Sequence, residues 1–150
     1  MRAWRLTRDI HRSHALSGEG AARVGNRWNS RGVRIAYTST SRALAVLEML
    51  VHVTRDTIPE NLLLLPFNVP DNLVQDAEGL PRDWNALPYS TNARLFGDRW
   101  VAEHRSAALL VPSVVLPQER NLLIDPMHPD YPKIAAFAPE RFQFDRRLLT

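Results

Sequence analysis

The chain is 150 residues long with 19 basic and 16 acidic side chains, a formal charge of +3 and no cysteine. That length allows one domain around a single core, and the missing thiols exclude a disulfide scaffold, a thiolate zinc site and a cysteine nucleophile. No stretch reaches the roughly 18 apolar residues of a membrane span, and the N-terminal residues lack the apolar run of a secretory signal, so a soluble cytoplasmic protein is expected.

In chain order, residues 3–6 read as a short strand, followed by a polar loop over 11–32 that carries Gly18, Gly20, Gly25 and Gly32. An alternating strand is expected over 33–38. Ser39, Thr40 and Ser41 offer N-caps for a helix over 42–54, with Leu44, Leu47 and Val51 at helical spacing. The apolar run over 61–69 predicts a strand whose Pro66 belongs at an edge or a bulge. A loop-rich stretch over 70–88, with a short helix near Trp84, leads to a helix over 91–106 whose buried side carries Leu95, Trp100 and Val101. Strands are expected over 108–116 and 122–124, a last helix over 128–138 and an edge strand over 142–144. Short strands, two good helices and 11 prolines in long connections describe one α/β or α+β domain spanning 1–150, without the regular alternation of a doubly wound sheet.

Every basic residue but Lys133 is arginine, and the charges are scattered, with no basic block or aromatic interleaving of a nucleic-acid surface. Within this background three places carry chemistry. Glu48 shares a helical face with Leu44, Leu47 and Val51, so its carboxylate leaves the core-facing stripe and needs a partner, a proton or a cavity. A structural ion pair to Arg27 and a functional carboxylate are both open readings. The segment Gly25-Asn26-Arg27-Trp28-Asn29-Ser30-Arg31-Gly32 brings two guanidinium forks, Arg27 and Arg31, suited to a pyrophosphate. Trp28 and Tyr37 offer flat rings that stack on another ring, unless Trp28 simply packs in the core. Neither a P-loop nor a G-x-G-x-x-G fingerprint is present. Ser113, after Pro112 in an apolar run, has no nucleophile elbow around it and would position a carboxylate or a ligand hydroxyl. His11 and His14 lack a third ligand, His52 lies one turn after Glu48, and no metal site is expected.

The order of these motifs resembles the RES family. The segment Gly25-Asn26-Arg27-Trp28-Asn29, then Gly32, then Tyr37-Thr38-Ser39, is similar to that family's G-x-R-W-N…G…Y-T-S block. Ala43 to Glu48, Gly97-Asp98-Arg99-Trp100, Val111-Pro112-Ser113, and the run from Asn121 to Pro129 resemble its later blocks, with Asp125 where asparagine is usual. The resemblance implies an ADP-ribosyltransferase-like fold and the toxin of a type II toxin–antitoxin system that degrades NAD+ and halts growth. It implies Arg27, Tyr37, Glu48 and Ser113 as the functional set, with Arg27, Glu48 and Ser113 catalytic; Arg31 and Trp28, read from the loop itself, join Arg27 and Tyr37 as the binding set. NAD+ would be substrate, with no cofactor and no metal. The implied partner is an Xre-type helix-turn-helix antitoxin in a hetero-oligomer, with DNA touched only through it.

Cleavage of the nicotinamide–ribose bond passes through an oxocarbenium-like state, which a carboxylate such as Glu48 stabilises beside Arg27. Glycohydrolase and phosphorylase outcomes differ only in whether water or phosphate captures the ribosyl cation. Two alternatives stand beside this one: an ADP-ribosyltransferase that modifies a protein, and a non-enzymatic module whose Gly-Arg loop binds an acidic partner. A ribonuclease is disfavoured by the even spread of charge.

Overall fold

Eight strands form one mixed sheet in the order β4-β5-β6-β2-β1-β3-β7, with β8 also paired to β3. The computed structural model describes residues 1–149; Thr150 lies outside them. The strands are β1 (Arg2–Arg8), β2 (Ala36–Ser39), β3 (Leu62–Asn68), β4 (Val74–Asp76), β5 (Ala108–Pro112), β6 (Arg120–Ile124), β7 (Ala135–Ala136) and β8 (Glu140–Phe142). Three helices, α1 (Glu19–Val24), α2 (Arg42–Leu50) and α3 (Thr91–Ala102), complete a mixed α+β domain. Among the described residues only the β4–β5 pair is parallel.

Alternation along the strands splits the core between the two faces of the sheet. Leu63, Leu65 and Phe67 of β3 join Ala3, Ala108, Leu122 and Ile124 in one cluster. The intervening Leu62 and Leu64 join Trp4, Leu6, Ala45 of α2 and Phe144 in a second. Leu109, Val111 and Leu123 then meet Trp28, Ile35, Ala93 and Trp100 in a third, which seats α3. The second and third clusters occupy the same face, and the gap between them positions the site.

Pro66 explains the irregular flank of β3. On one side β3 pairs continuously with β1, Trp4 lying opposite Pro66. On the other, β8 covers Leu62 to Leu64 and β7 covers Phe67 and Asn68. The residue without an N–H thus falls at the break between two short partner strands, inside the sheet rather than at its edge. Its carbonyl still accepts from the Phe137 N–H at 2.9 Å.

Several expected elements are shorter or different. The helix expected over 42–54 ends at Leu50, and the β-branched run beyond it turns instead, Thr54 and Thr57 capping each other reciprocally around a 3-10 turn. The expected helix over 128–138 is a single 3-10 turn, Tyr131–Lys133, followed by β7, because Pro129 and Pro132 remove helical N–H donors. Trp84 sits in hydrogen-bonded turns without a helix. The loop expected over 11–32 contains α1. In α3, capped by the Ser90 hydroxyl, the buried residues are Ala93, Gly97 and Trp100, while Leu95 is exposed.

Candidate functional site

Glu48 stands on the last full turn of α2, where the buried stripe meets open space. Leu44 and Ala45 are buried while Val51 is exposed, so the helix is rotated from the expected face and Glu48 borders the core instead of lying under it. Its Oε1 accepts from the Ser113 hydroxyl at 2.6 Å and from the Asn121 side-chain N–H at 2.6 Å. Asn121 is oriented in turn by the Ser39 hydroxyl, which donates to its Oδ1 at 2.8 Å. Ser113, fully buried just past the end of β5, also accepts from the Leu116 N–H at 3.1 Å. Both donors converge on one oxygen, and among the described residues Oε2 has no protein partner within hydrogen-bond distance. Two short bonds converging on one oxygen fix the plane of the carboxyl group.

This carboxylate lines a cleft of about 760 Å³ between the two core clusters, within the roughly 300–1,000 Å³ of small-molecule sites. Arg27, Tyr37, Ser39 and Asn121 share the lining with Arg5, His52 and Tyr89. Arg27 is buried, and its Nη1 donates to the carbonyls of Trp84 at 2.9 Å and Ala86 at 3.0 Å. The guanidinium also lies 4.8 Å from the Tyr89 ring. Burial lowers its pKa, with Tyr89 and Glu48 acting in the opposite sense. No ion pair joins Arg27 to Glu48 within 4.0 Å among the described residues; the structural salt bridge open in the sequence is replaced by neutral donors from Ser113 and Asn121.

Tyr37, Arg31 and Trp28 differ from expectation in instructive ways. The Tyr37 hydroxyl donates to Asn29 Oδ1 at 2.7 Å and accepts from the Trp28 N–H at 3.0 Å, so its proton is committed to the protein. Burial raises the phenol well above its ordinary value, keeping it neutral. What Tyr37 offers a ligand is its ring. Trp28 is not a free stacking surface: it is 2 % exposed, stacked on Trp84 at 6.2 Å and edge-on to Phe96. Hydrophobic burial of the largest apolar side chain in the loop outweighs its use at the surface. Arg31 is exposed and outside the cleft lining, because the turn closed by the Val33 N–H to Ser30 carbonyl carries it to solvent. The residue pattern alone does not mark Asn121, Arg5 or Tyr89 as site residues. Of these, Asn121 had a signal, as the first residue of the Asn121 to Pro129 motif.

Comparison with known proteins fits this arrangement. Residues 2–145 match the RES domain. The chain belongs to the RES family. It is 42 % identical over 97 % of its length, and 95 % of the relative's, to the Prs ADP-ribosylating toxin of Sphingobium sp. (strain YBL2). It is 40 % identical to Toxin Res of Photorhabdus laumondii, over 87 % of this chain and 85 % of that one. It also resembles one chain of the M. tuberculosis MbcT–MbcA toxin–antitoxin complex, with a TM-score of 0.76 over 94 % of this chain and 83 % of that one. At 20 % identity that likeness speaks for the fold alone.

The RES motifs here act as one mechanical unit. Asn29, fully buried, accepts from Tyr37 and donates to the carbonyls of Ala21, Ser30 and Val33 at 3.0–3.1 Å. The Gly-Asp-Arg-Trp motif on α3 clamps the loop from the other side. Asp98 accepts from the Ser30 N–H at 2.8 Å. Gly97 abuts the Trp28 main chain so closely that a Cβ would stand 1.7 Å from its carbonyl oxygen. Gly25 turns the chain into the loop at a φ of +75°, a region costly for other residues.

Proposed function

We propose that this RES chain is the toxin of a toxin–antitoxin pair and that it cleaves the nicotinamide–ribose bond of NAD+. The observation that carries the reading is the Glu48 carboxylate, held on one oxygen by two donors at 2.6 Å and left open on the other, in a cleft that also holds arginine. As the C–N bond breaks, its electron pair leaves with nicotinamide and neutralises the pyridinium, while positive charge grows on the ribose. Glu48 Oε2 is the preorganised negative group that stabilises this charge or accepts a ribose hydroxyl. Ser113 and Asn121 act as positioning residues. Tyr37 presents its ring to the nicotinamide end, and Arg27 presents its remaining N–H groups to the diphosphate. Water or phosphate then captures the ribosyl cation and gives up a proton.

The partner proposed is an antitoxin of the Xre helix-turn-helix type, which would contact DNA on the pair's behalf in the cytoplasm. A second reading, transfer of ADP-ribose to a protein side chain, is favoured by the name of the Sphingobium relative, an ADP-ribosylating toxin. It needs the same Glu48 and differs only in the acceptor. Incubating the purified chain with NAD+ and following nicotinamide release separates the readings. Free ADP-ribose or its phosphorylated product supports hydrolysis or phosphorolysis, whereas ADP-ribose found by mass spectrometry on a protein of the lysate supports transfer. No nicotinamide under either condition would leave the non-enzymatic binding module.

A further inference from the structure

The stretch that follows β1 is a 3-10 turn, Asp9–His14, where the sequence suggests only a polar loop. Side chains three residues apart eclipse one another in such a turn. His11 and His14 are spaced in this way and meet edge to face, their ring centroids 5.3 Å apart. His11 Nδ1 faces His14 Nε2 at 3.2 Å. The second nitrogen of His14, Nδ1, lies 3.4 Å from the Ser13 hydroxyl oxygen. With its proton on Nδ1 and donated to Ser13, His14 turns a bare Nε2 lone pair toward His11. The intervening Arg12 is paired with Asp9 at 3.5 Å by the same three-residue spacing. Main-chain bonds hold the turn at both ends, from the Asp9 N–H to the Asn61 carbonyl at 2.8 Å and from the Ser17 N–H to the His14 carbonyl at 3.0 Å. Ala15 and Leu16, directly after it, are buried in the first core cluster. Two exposed imidazoles thus ride on a seated backbone, away from the cleft lining.

We propose that His11 and His14 form a two-histidine chelate for a divalent transition-metal ion, with zinc the best fit and water completing its shell. With Zn–N bonds of about 2.05 Å, a 3.2 Å separation of the nitrogens sets an N–Zn–N angle of about 103°, near the tetrahedral value. A square-planar ion asks for a narrower bite of about 90°. Both rings are exposed and the imidazole torsion has a broad well, so a modest tilt aims both lone pairs at one ion. Ser13 serves as the outer partner that fixes the His14 ring and tautomer. The sequence gives no third ligand, and no group of three or more His, Cys, Asp or Glu side chains among the described residues could hold a metal ion. A two-toothed surface site needs none, because the open positions of an exposed ion go to water. The site stands apart from the NAD+ reading, and neither depends on the other.

The test is calorimetric titration of the full chain with zinc chloride, beside its His11→Ala, His14→Ala, Ser13→Ala and His104→Ala variants. The expected result is one ion per wild-type chain, with affinity falling about a hundredfold on loss of either His11 or His14 and about tenfold for Ser13→Ala. His104, another exposed histidine, serves as the control, and its variant should bind as the wild type does. No zinc binding by the wild type overturns the proposal, as does binding that survives loss of His11 or His14. An equal loss in His104→Ala also overturns it, because the ion would then be held by surface histidines at large. Nitrogen-15 spectra of the histidine rings in the wild-type chain decide independently of how any variant folds. Zinc should shift His11 Nδ1 and His14 Nε2 and leave the His128 ring unmoved; shifts on any other pair of nitrogens overturn the assignment.

Discussion

Strand β6 ends in a polar residue on each side, and the two ends behave differently. Near its start Asn121 donates a hydrogen bond to Glu48 Oε1 and accepts one from the Ser39 hydroxyl, which leaves Glu48 Oε2 free to face the cleft. Just beyond its end Asp125 is fully buried, accepts only the Met127 N–H at 2.9 Å on Oδ1, and leaves Oδ2 without a partner. His104 Nδ1 approaches Oδ2 no closer than 3.7 Å. The Asp125 pKa is raised chiefly by burial and drawn back by Met127, His104 and His128. Yet it stands outside the cleft that Glu48 lines. Burial and perturbation of a carboxylate therefore do not mark a site by themselves; donors that orient one oxygen and leave the other facing a cavity do.

The sharpest test of that contrast is Glu48→Gln, which keeps shape but loses charge. NAD+ turnover should fall by roughly 10³-fold, about 4 kcal/mol of transition-state stabilisation, with the melting temperature little changed. Retained turnover would move the chemistry away from α2. Next in size is Gly97→Ala, which drives a methyl into the Trp28 carbonyl and should destabilise the fold by about 3 kcal/mol while displacing the Arg27 loop. Chemical denaturation and nicotinamide release should fall together; an unaltered protein would mean that α3 does not clamp the loop.

Ser113→Ala removes one of the two donors on Glu48 and should cost about 30-fold in kcat, about 2 kcal/mol, with KM little affected, since Ser113 positions the carboxylate and stands outside the cleft lining. A change confined to KM would assign Ser113 to substrate instead. The smallest effect belongs to the other end of β6. Burial raises the Asp125 pKa in the folded chain, so its ionised form costs stability as pH rises through that value, and the protonated form does not. Asp125→Asn should therefore stabilise the chain by roughly 1 kcal/mol at neutral pH. The gain should shrink as the solution is acidified into the carboxylate range, leaving nicotinamide release untouched. Equal gains in thermal melts at both pH values would remove the role of charge.

Much of the architecture follows from local pattern. The apolar run of β3, the Ser-capped starts of α2 and α3, and the strands on either side of Ser113 are written in periodicity and caps, which depend on neighbours along the chain. The identity of Arg27, Tyr37, Glu48 and Ser113 as a group was legible through motif order, and these residues do converge, three lining one cleft and the fourth bonded to Glu48. Tertiary packing alone decided the rest. It buried Trp28 against Trp84, turned Arg31 to solvent, spent the Tyr37 hydroxyl on Asn29 and, of the two open readings of Glu48, chose donors from Ser113 and Asn121 over an ion pair to Arg27. It also stranded Arg5 between two parting strands. The physical reason is common to all of these: which hydrogen-bond donor meets which acceptor, and which ring is dry, depends on contacts between residues tens of positions apart. Spacing along the chain determines secondary structure and leaves those distances open.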